Sequence, residues 1–213
     1  MSATAQRPKV DLSRFDNSDY PLGAGFIKRT LWYFVNALFF INPFFPFRSP
    51  KPVLLRLFGA RVGKGVVIHP GVNIKFPWKL SIGDHVWIGQ RAWLDNIDQL
   101  TIHSNVVISQ GAMLILGSHD YKKLDYPTMA GPVVLEEGSW VGAGALVLGG
   151  VTIKSHSLLA AGSVTGKTLR PYTIYRGNPA MPVRDRVMEG EVPHVPDIAA
   201  EEASLRSTAA DES

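Results

Sequence analysis

The stretch IGDHVWIGQRAWL at residues 82–94 carries an aliphatic side chain at every sixth position, Ile82, Ile88 and Leu94. Reading outward keeps the same beat. Val62, Ile68 and Ile74 come before it, and Ile102, Ile108, Leu114, Leu135, Val141, Val147, Ile153 and Leu159 follow, with Thr165 closing the series. Two two-residue insertions hold the phase, one between Ile74 and Ile82 and one between Leu94 and Ile102. Neither a 3.6-residue helix nor a two-residue strand alternation has a period of six, so the pattern marks an all-β solenoid. Three hexads make one triangular coil of about 18 residues, with the aliphatic group inward and Gly or Asn at the corners, where positive φ costs little. Residues 60–180 therefore read as one domain of about five coils.

Residues 1–59 have a different character. The first 25 are polar and broken by Pro8, Pro21, Gly23 and Gly25, as in an irregular arm. The run LWYFVNALFFI at 31–41 has a single polar residue, Asn36, and reads as helix up to Asn42, where Pro43 stops it. It falls short of the roughly 20 apolar residues that a spanning helix needs. Lys28, Arg29, Arg48, Lys51 and Arg56 flank it. Two readings fit: a helix lying in a membrane interface, or an apolar cap packed on the next domain or on another subunit. Residues 181–213 read as an irregular segment ending in an acidic, disordered tail.

The chain has 213 residues, is 46% hydrophobic and 19% charged, and holds 20 Gly and 15 Pro, which argues against disorder and a coiled coil and suits a turn-rich fold. It has no cysteine, so disulfides, thiolate chemistry and Cys-ligated zinc are excluded, and a cytoplasmic setting fits. No secretory signal is read at the N-terminus. The net charge of +4 is uneven: from Met188 onward seven acidic residues face Arg206 alone, leaving residues 1–187 with 21 basic and 11 acidic groups. A basic body without Lys/Arg clustering or a reader motif points away from nucleic acid and toward phosphate-bearing ligands or lipid head groups.

One interruption in the repeat is large. Leu114 and Leu135 lie 21 residues apart, and the excess is a loop at about 117–133 that leaves the coil at Ser118–His119. Loops excluded from a regular solenoid are commonly functional, and this one sets an imidazole on a rigid wall, as a general base requires. The other five histidines have surface explanations. His69 and His103 follow inward residues and point outward, His85 and His156 sit in turn-like segments, and His194 lies in the tail. A metal site would need a second histidine beside His119, and the spacing supplies none.

Four segments, RLFGARVGKGVVIHP at 56–70, FPWKL at 76–80, ISQGAMLILGSHDY at 108–121 and RGNPAMPVRDRV at 176–187, give the chain a resemblance to a known family. It resembles the hexapeptide-repeat acyltransferase superfamily, and within it the O-acetyltransferases of the colanic-acid-biosynthesis type. The resemblance implies a left-handed parallel β-helix assembled as a homotrimer, with each active site between subunits. It implies acetyl-CoA as donor, no metal, and as acceptor a sugar hydroxyl of an exopolysaccharide or its lipid-linked precursor. By the same resemblance His119 is the general base, Ala143 and Ala161 offer backbone contacts to the pantetheine arm, and Lys167 and Arg184 bind the CoA phosphates. Some members place an acceptor-binding Asn thirty residues before the catalytic His; here that position is Gly89. Asp95 and Asn96 on the preceding coil, with Asp120 beside His119, are the polar candidates for the acceptor. N-acetylation of an amino sugar is the alternative reaction, and a non-enzymatic assembly solenoid the alternative role.

Overall fold

A computed structural model describes residues 9–18 and 20–189. The hexads form three parallel sheets that wrap a single apolar column. The first face stacks Arg61–Val62, Leu80–Ile82, Leu100–Ile102, Val133–Leu135 and Thr152–Ile153. The second stacks Val67–Ile68, Trp87–Ile88, Val107–Ile108, Trp140–Val141 and Leu158–Leu159. The third stacks Asn73–Ile74, Trp93–Asp95, Met113–Ile115, Leu146–Leu148 and Val164–Thr165. Register holds each aliphatic hexad residue above its counterpart one coil below, as in Ile82↔Ile102 and Ile88↔Ile108. Ile68, Ile88, Leu94, Ile108, Leu114 and Leu159 are fully buried. Truncating one, as in Leu94→Ala, removes contacts from the coils above and below and costs roughly 2–5 kcal/mol.

Five coils are complete and a sixth is partial. Leu169 bridges to Ile153, and Thr173–Gly177 pairs with Leu158–Leu159. The expected count of about five falls short by this part-coil because a two-residue deletion after Thr165 breaks the beat, which Leu169 and the buried Tyr175 then resume. Thr165 still points inward, its hydroxyl bonded to the Lys167 carbonyl at 2.8 Å. Beyond residue 180, where irregular chain is expected, Ala180–Asp185 turns back as an antiparallel strand on Thr173–Gly177. The acidic tail falls on residues 190–213, outside the described residues.

The corner between the first and second faces is regular and polar, and holds His85 and His156 at φ +55° and +56°. Between the second and third faces Arg91, Gly111, Gly144 and Gly162 repeat a positive φ. Every departure from the hexad stacks on the remaining corner, between the third and first faces. It carries the Pro77–Lys79 turn, the segment 96–99, the long loop at 117–132 and the shortened turn at 166–168.

The N-terminal helix caps the first coil. It begins earlier than expected, as α1 (Phe26–Val35), and continues through a wider π-type stretch, Asn36–Ile41, to the cap at Asn42. Exposed strand edges must have their backbone groups satisfied. Here the Trp32 indole donates to the Ile74 carbonyl (2.9 Å), Asn36 bonds the Asn73 side chain (2.8 Å), and the Phe40 carbonyl accepts from Gly71 N–H (2.8 Å). A second helix, α2 (Pro50–Leu57), sends the buried Lys51 to the His69 carbonyl (3.0 Å). Trp32, Phe40 and Leu55 are buried, whereas Phe26, Ile27, Leu31, Phe34 and Leu38 are exposed. One side of the apolar segment is thus a cap and the other faces outward. No helix among the described residues is long and apolar enough to cross a membrane.

Candidate active site on the irregular edge

The long loop is a hairpin. Gly117–His119 pairs antiparallel with Thr128–Ala130, and this puts His119 on a strand rather than a free loop tip. Its imidazole is exposed, and its Nδ1 lies 2.8 Å from the carbonyl oxygen of Tyr126. A carbonyl can only accept, so in the neutral form of the ring this contact favours the tautomer with the hydrogen on Nδ1 and the lone pair on Nε2. Phe15, from the N-terminal arm, stands edge-on to the ring with centroids 5.8 Å apart.

His119 opens on a cleft of about 290 Å³ that it shares with Asp95, Lys75, Phe15 and Tyr20. Lys75 comes from the first coil, Asp95 from the second and His119 from the third, all on the corner where the repeat is irregular. Stacking at about 4.8 Å per coil is what brings them together. Lys75 Nζ pairs with Asp95 Oδ1 at 2.8 Å, which holds the carboxylate at the cleft wall. Of the other acceptor candidates, Asn96 is buried and spends both ends of its amide on the Phe76 backbone (2.7 and 3.1 Å). Asp120 accepts from Lys122 N–H (3.1 Å) within the hairpin turn and does not line the cleft. Gly89 could not carry a side chain here, because a Cβ would stand 2.5 Å from the Gln110 nitrogen.

The arm supplies lining residues that the sequence gave no reason to select. Tyr20 donates its hydroxyl to the Ile97 carbonyl (2.9 Å), and the Leu22 carbonyl accepts from the Trp78 indole (2.8 Å). Asp11 N–H donates to Leu124 O in the hairpin (2.9 Å). These bonds pin Asp11, Tyr20 and Leu22 along the irregular edge. They use backbone carbonyls, which leave no periodic trace in a sequence; the only signal is the aromatic character of Phe15 and Tyr20.

The four donor-side candidates do not converge within one chain. Ala143 and Ala161 stack one coil apart on the corner between the second and third faces, each followed by a glycine at φ +63° or +68°. Lys167 is exposed on the irregular corner, the same one as His119. Arg184 is exposed on the returning strand, opposite Ile174. One side of the triangle, six residues at about 3.3 Å, keeps the two corners roughly 15–20 Å apart. Among the described residues no group of three or more His, Asp or Glu side chains could hold a metal ion.

A solenoid of stacked hexads interrupted by one long hairpin defines a class by its architecture, the hexapeptide-repeat β-helix proteins. No family profile matches the chain. It is 40% identical over 178 residues to the Escherichia coli (strain K12) protein assigned to colanic acid biosynthesis as the acetyltransferase WcaF, covering 83% of this chain and 97% of that one. The Vibrio cholerae hexapeptide-repeat acetyltransferase VCA0836, solved with acetyl coenzyme A, superposes with a TM-score of 0.61 at 26% identity, covering 66% of this chain and 78% of that one. A galactoside acetyltransferase in complex with coenzyme A shares the fold, with a TM-score of 0.68 at 20% identity over 86% of this chain and 91% of its own. The chain belongs to the acetyl-CoA-dependent hexapeptide-repeat acetyltransferase family that includes WcaF.

Proposed function

We propose that the protein transfers the acetyl group of acetyl-CoA directly to a hydroxyl of a sugar, in an exopolysaccharide or its lipid-linked precursor, with His119 as general base. The bond from His119 Nδ1 to the Tyr126 carbonyl carries this reading, because it favours the tautomer whose Nε2 can accept a proton. As the sugar oxygen attacks the thioester carbonyl, its proton passes to Nε2. The tetrahedral intermediate then expels the CoA thiolate, which takes the proton back from the imidazolium. A backbone N–H at the oxyanion contributes about 2.7–4 kcal/mol in comparable sites. Asp95, held by Lys75, accepts hydrogen bonds from the acceptor's hydroxyls. The test is His119→Ala, for which acceptor-dependent thiol release falls at least ~10²-fold while the KM for acetyl-CoA stays unchanged. Unreduced release in the variant removes His119 from the mechanism.

The donor site in this reading is completed by a second copy of the chain. The outward residues of the first face are Ser81, Thr101, Val134 and Thr152, a mainly polar column. The second face presents Val67, Trp87, Val107, Trp140, Leu158 and Ile174, and the third Met113, Leu146 and Val164. Two apolar faces meeting at the Ala143–Ala161 corner suit a three-fold assembly in which one copy's second face packs on its neighbour's third. In that arrangement the pantetheine arm runs between the small-residue corner of one subunit and the His119 hairpin of the next, with Lys167 and Arg184 on the CoA phosphates.

The outward side of α1 gives the trimer a membrane contact. Phe26, Ile27, Leu31 and Phe34 are exposed, with the half-buried Lys28 beside them and the exposed Arg48 and Arg56 on the segment that follows, the pairing of apolar insertion with cationic attraction that interfacial binding uses. Flotation with anionic liposomes at low salt tests it. A protein that stays at the bottom of the gradient leaves α1 as a cap alone.

A further inference from the structure

A second cleft, of about 400 Å³, lies between α1 and the third face. It is continuous with the His119 cleft, because Lys75, Phe76 and Asp95 line both. Its walls are aromatic: Tyr33 is 68% exposed and Trp93 42%, and Phe76 stacks on Trp78 with centroids 5.0 Å apart. Its one other cation besides Lys75 is Arg29 on α1. The Nε of Arg29 is buried and has no hydrogen-bond partner, and Lys75–Asp95 is the only ion pair among the described residues. Arg29 as a whole is half-buried, and its two Nη groups at the cleft wall also make no hydrogen bond or ion pair among the described residues, so the guanidinium meets the cleft without an acceptor. Its planar fork matches a carboxylate or phosphate better than a neutral hydroxyl. An aromatic wall, in turn, packs well against the C–H face of a pyranose ring.

We infer that this cleft is a second acceptor subsite, which takes the unit next to the acetylated sugar and holds an anionic group of that unit on Arg29. The inference rests on reading the His119 cleft as the reacting centre. The anion has two sources of shared chemistry, a uronic acid carboxylate or the phosphate of an activated or lipid-linked sugar. Either one places the charge one unit away from the reacting hydroxyl.

The test compares three matched probes, cellobiose, cellobiouronic acid and cellobiose 1-phosphate, binding to the full chain without acetyl-CoA. Quenching of tryptophan fluorescence reports occupancy, since Trp32, Trp78 and Trp93 line the cleft. At least one anionic probe binds about tenfold or more tightly than cellobiose, and which one does identifies the source. Arg29→Gln removes that preference, and Arg29→Lys, which keeps the charge without the fork, restores part of it. Thermal unfolding confirms that each variant is folded. Equal affinity for all three probes, no measurable binding of either anion at millimolar concentration, or a preference that survives Arg29→Gln overturns the inference. Running the same titrations on His119→Ala separates the two readings, because binding at Arg29 does not depend on which residue is the base.

Discussion

His119 Nδ1 sits 2.8 Å from the carbonyl oxygen of Tyr126, and both residues belong to the hairpin that interrupts the third coil. The contact ties the protonation geometry of the imidazole to the backbone rather than to a carboxylate. The ring is held by a main-chain oxygen, and no hydrogen bond engages Nε2 among the described residues. Long-range ¹H–¹⁵N correlation of the neutral imidazole should therefore show the Nδ1–H tautomer for His119. A dominant Nε2–H tautomer contradicts the assigned role.

The outward apolar columns on the second and third faces predict a trimer. Light scattering should give three times the 23.3 kDa chain mass. Charging the second face through Leu158→Glu together with Trp140→Glu should shift the protein toward monomer with loss of activity, since the donor site loses its other half. A wild-type mass of one chain rules the assembly out.

Lys167 and Arg184 are exposed, and neither makes an ion pair among the described residues. If they meet the 3′-phosphate of CoA, Lys167→Ala and Arg184→Ala weaken CoA binding by several-fold more than dephospho-CoA binding, as measured by calorimetry. Equal losses for the two ligands would remove the phosphate contact.

Lys51, on α2, is fully buried against the first coil, where its amine bonds the His69 carbonyl. Burial, reinforced by nearby Arg48, pushes its amine down to about 8. Below pH 8 the folded and unfolded chains both carry the proton, and the fold bears the whole cost of the buried charge. Between about 8 and the ordinary lysine value the folded chain sheds the proton while the unfolded chain keeps it, so this group makes stability rise with pH. Denaturant unfolding at pH 7 and 9.5 should move wild type upward relative to Lys51→Met by on the order of 1–2 kcal/mol. A constant difference between the two proteins means that Lys51 does not titrate in this range.

The solenoid was legible in the sequence because one physical requirement, an apolar side chain pointing inward once per strand, repeats at a fixed interval from Val62 to Leu159. The same arithmetic makes the insertions at 76–80 and 96–99 and the hairpin visible as departures, and counting coils places Asp95 below His119. It does not reveal that all of these fall on one corner, because corners are indistinguishable until the coil is closed. The N-terminal arm was illegible for another reason. Tyr20 and Leu22 are held through bonds to or from main-chain carbonyls, whose positions do not depend on residue type. Asn96 shows what residue type alone leaves out: the sequence places an amide beside the site, and only the structure shows that it hydrogen-bonds the Phe76 backbone and braces the insertion. The cleft at Arg29 arises only when α1 folds back over the third face, a long-range contact that no local pattern encodes.

Direct transfer to a sugar hydroxyl is tested by following the acetyl group itself. Wild-type protein is incubated with [1-¹³C]acetyl-CoA and the exopolysaccharide or its oligosaccharide units, and the product is examined by ¹³C NMR before and after hydroxylamine. Direct transfer gives one ester carbonyl per CoA released, no acetylated protein, and complete loss of the ester signal on hydroxylamine treatment. A hydroxylamine-stable amide carbonyl, an acetyl group retained on the chain, or CoA release that is indifferent to the glycan would contradict it.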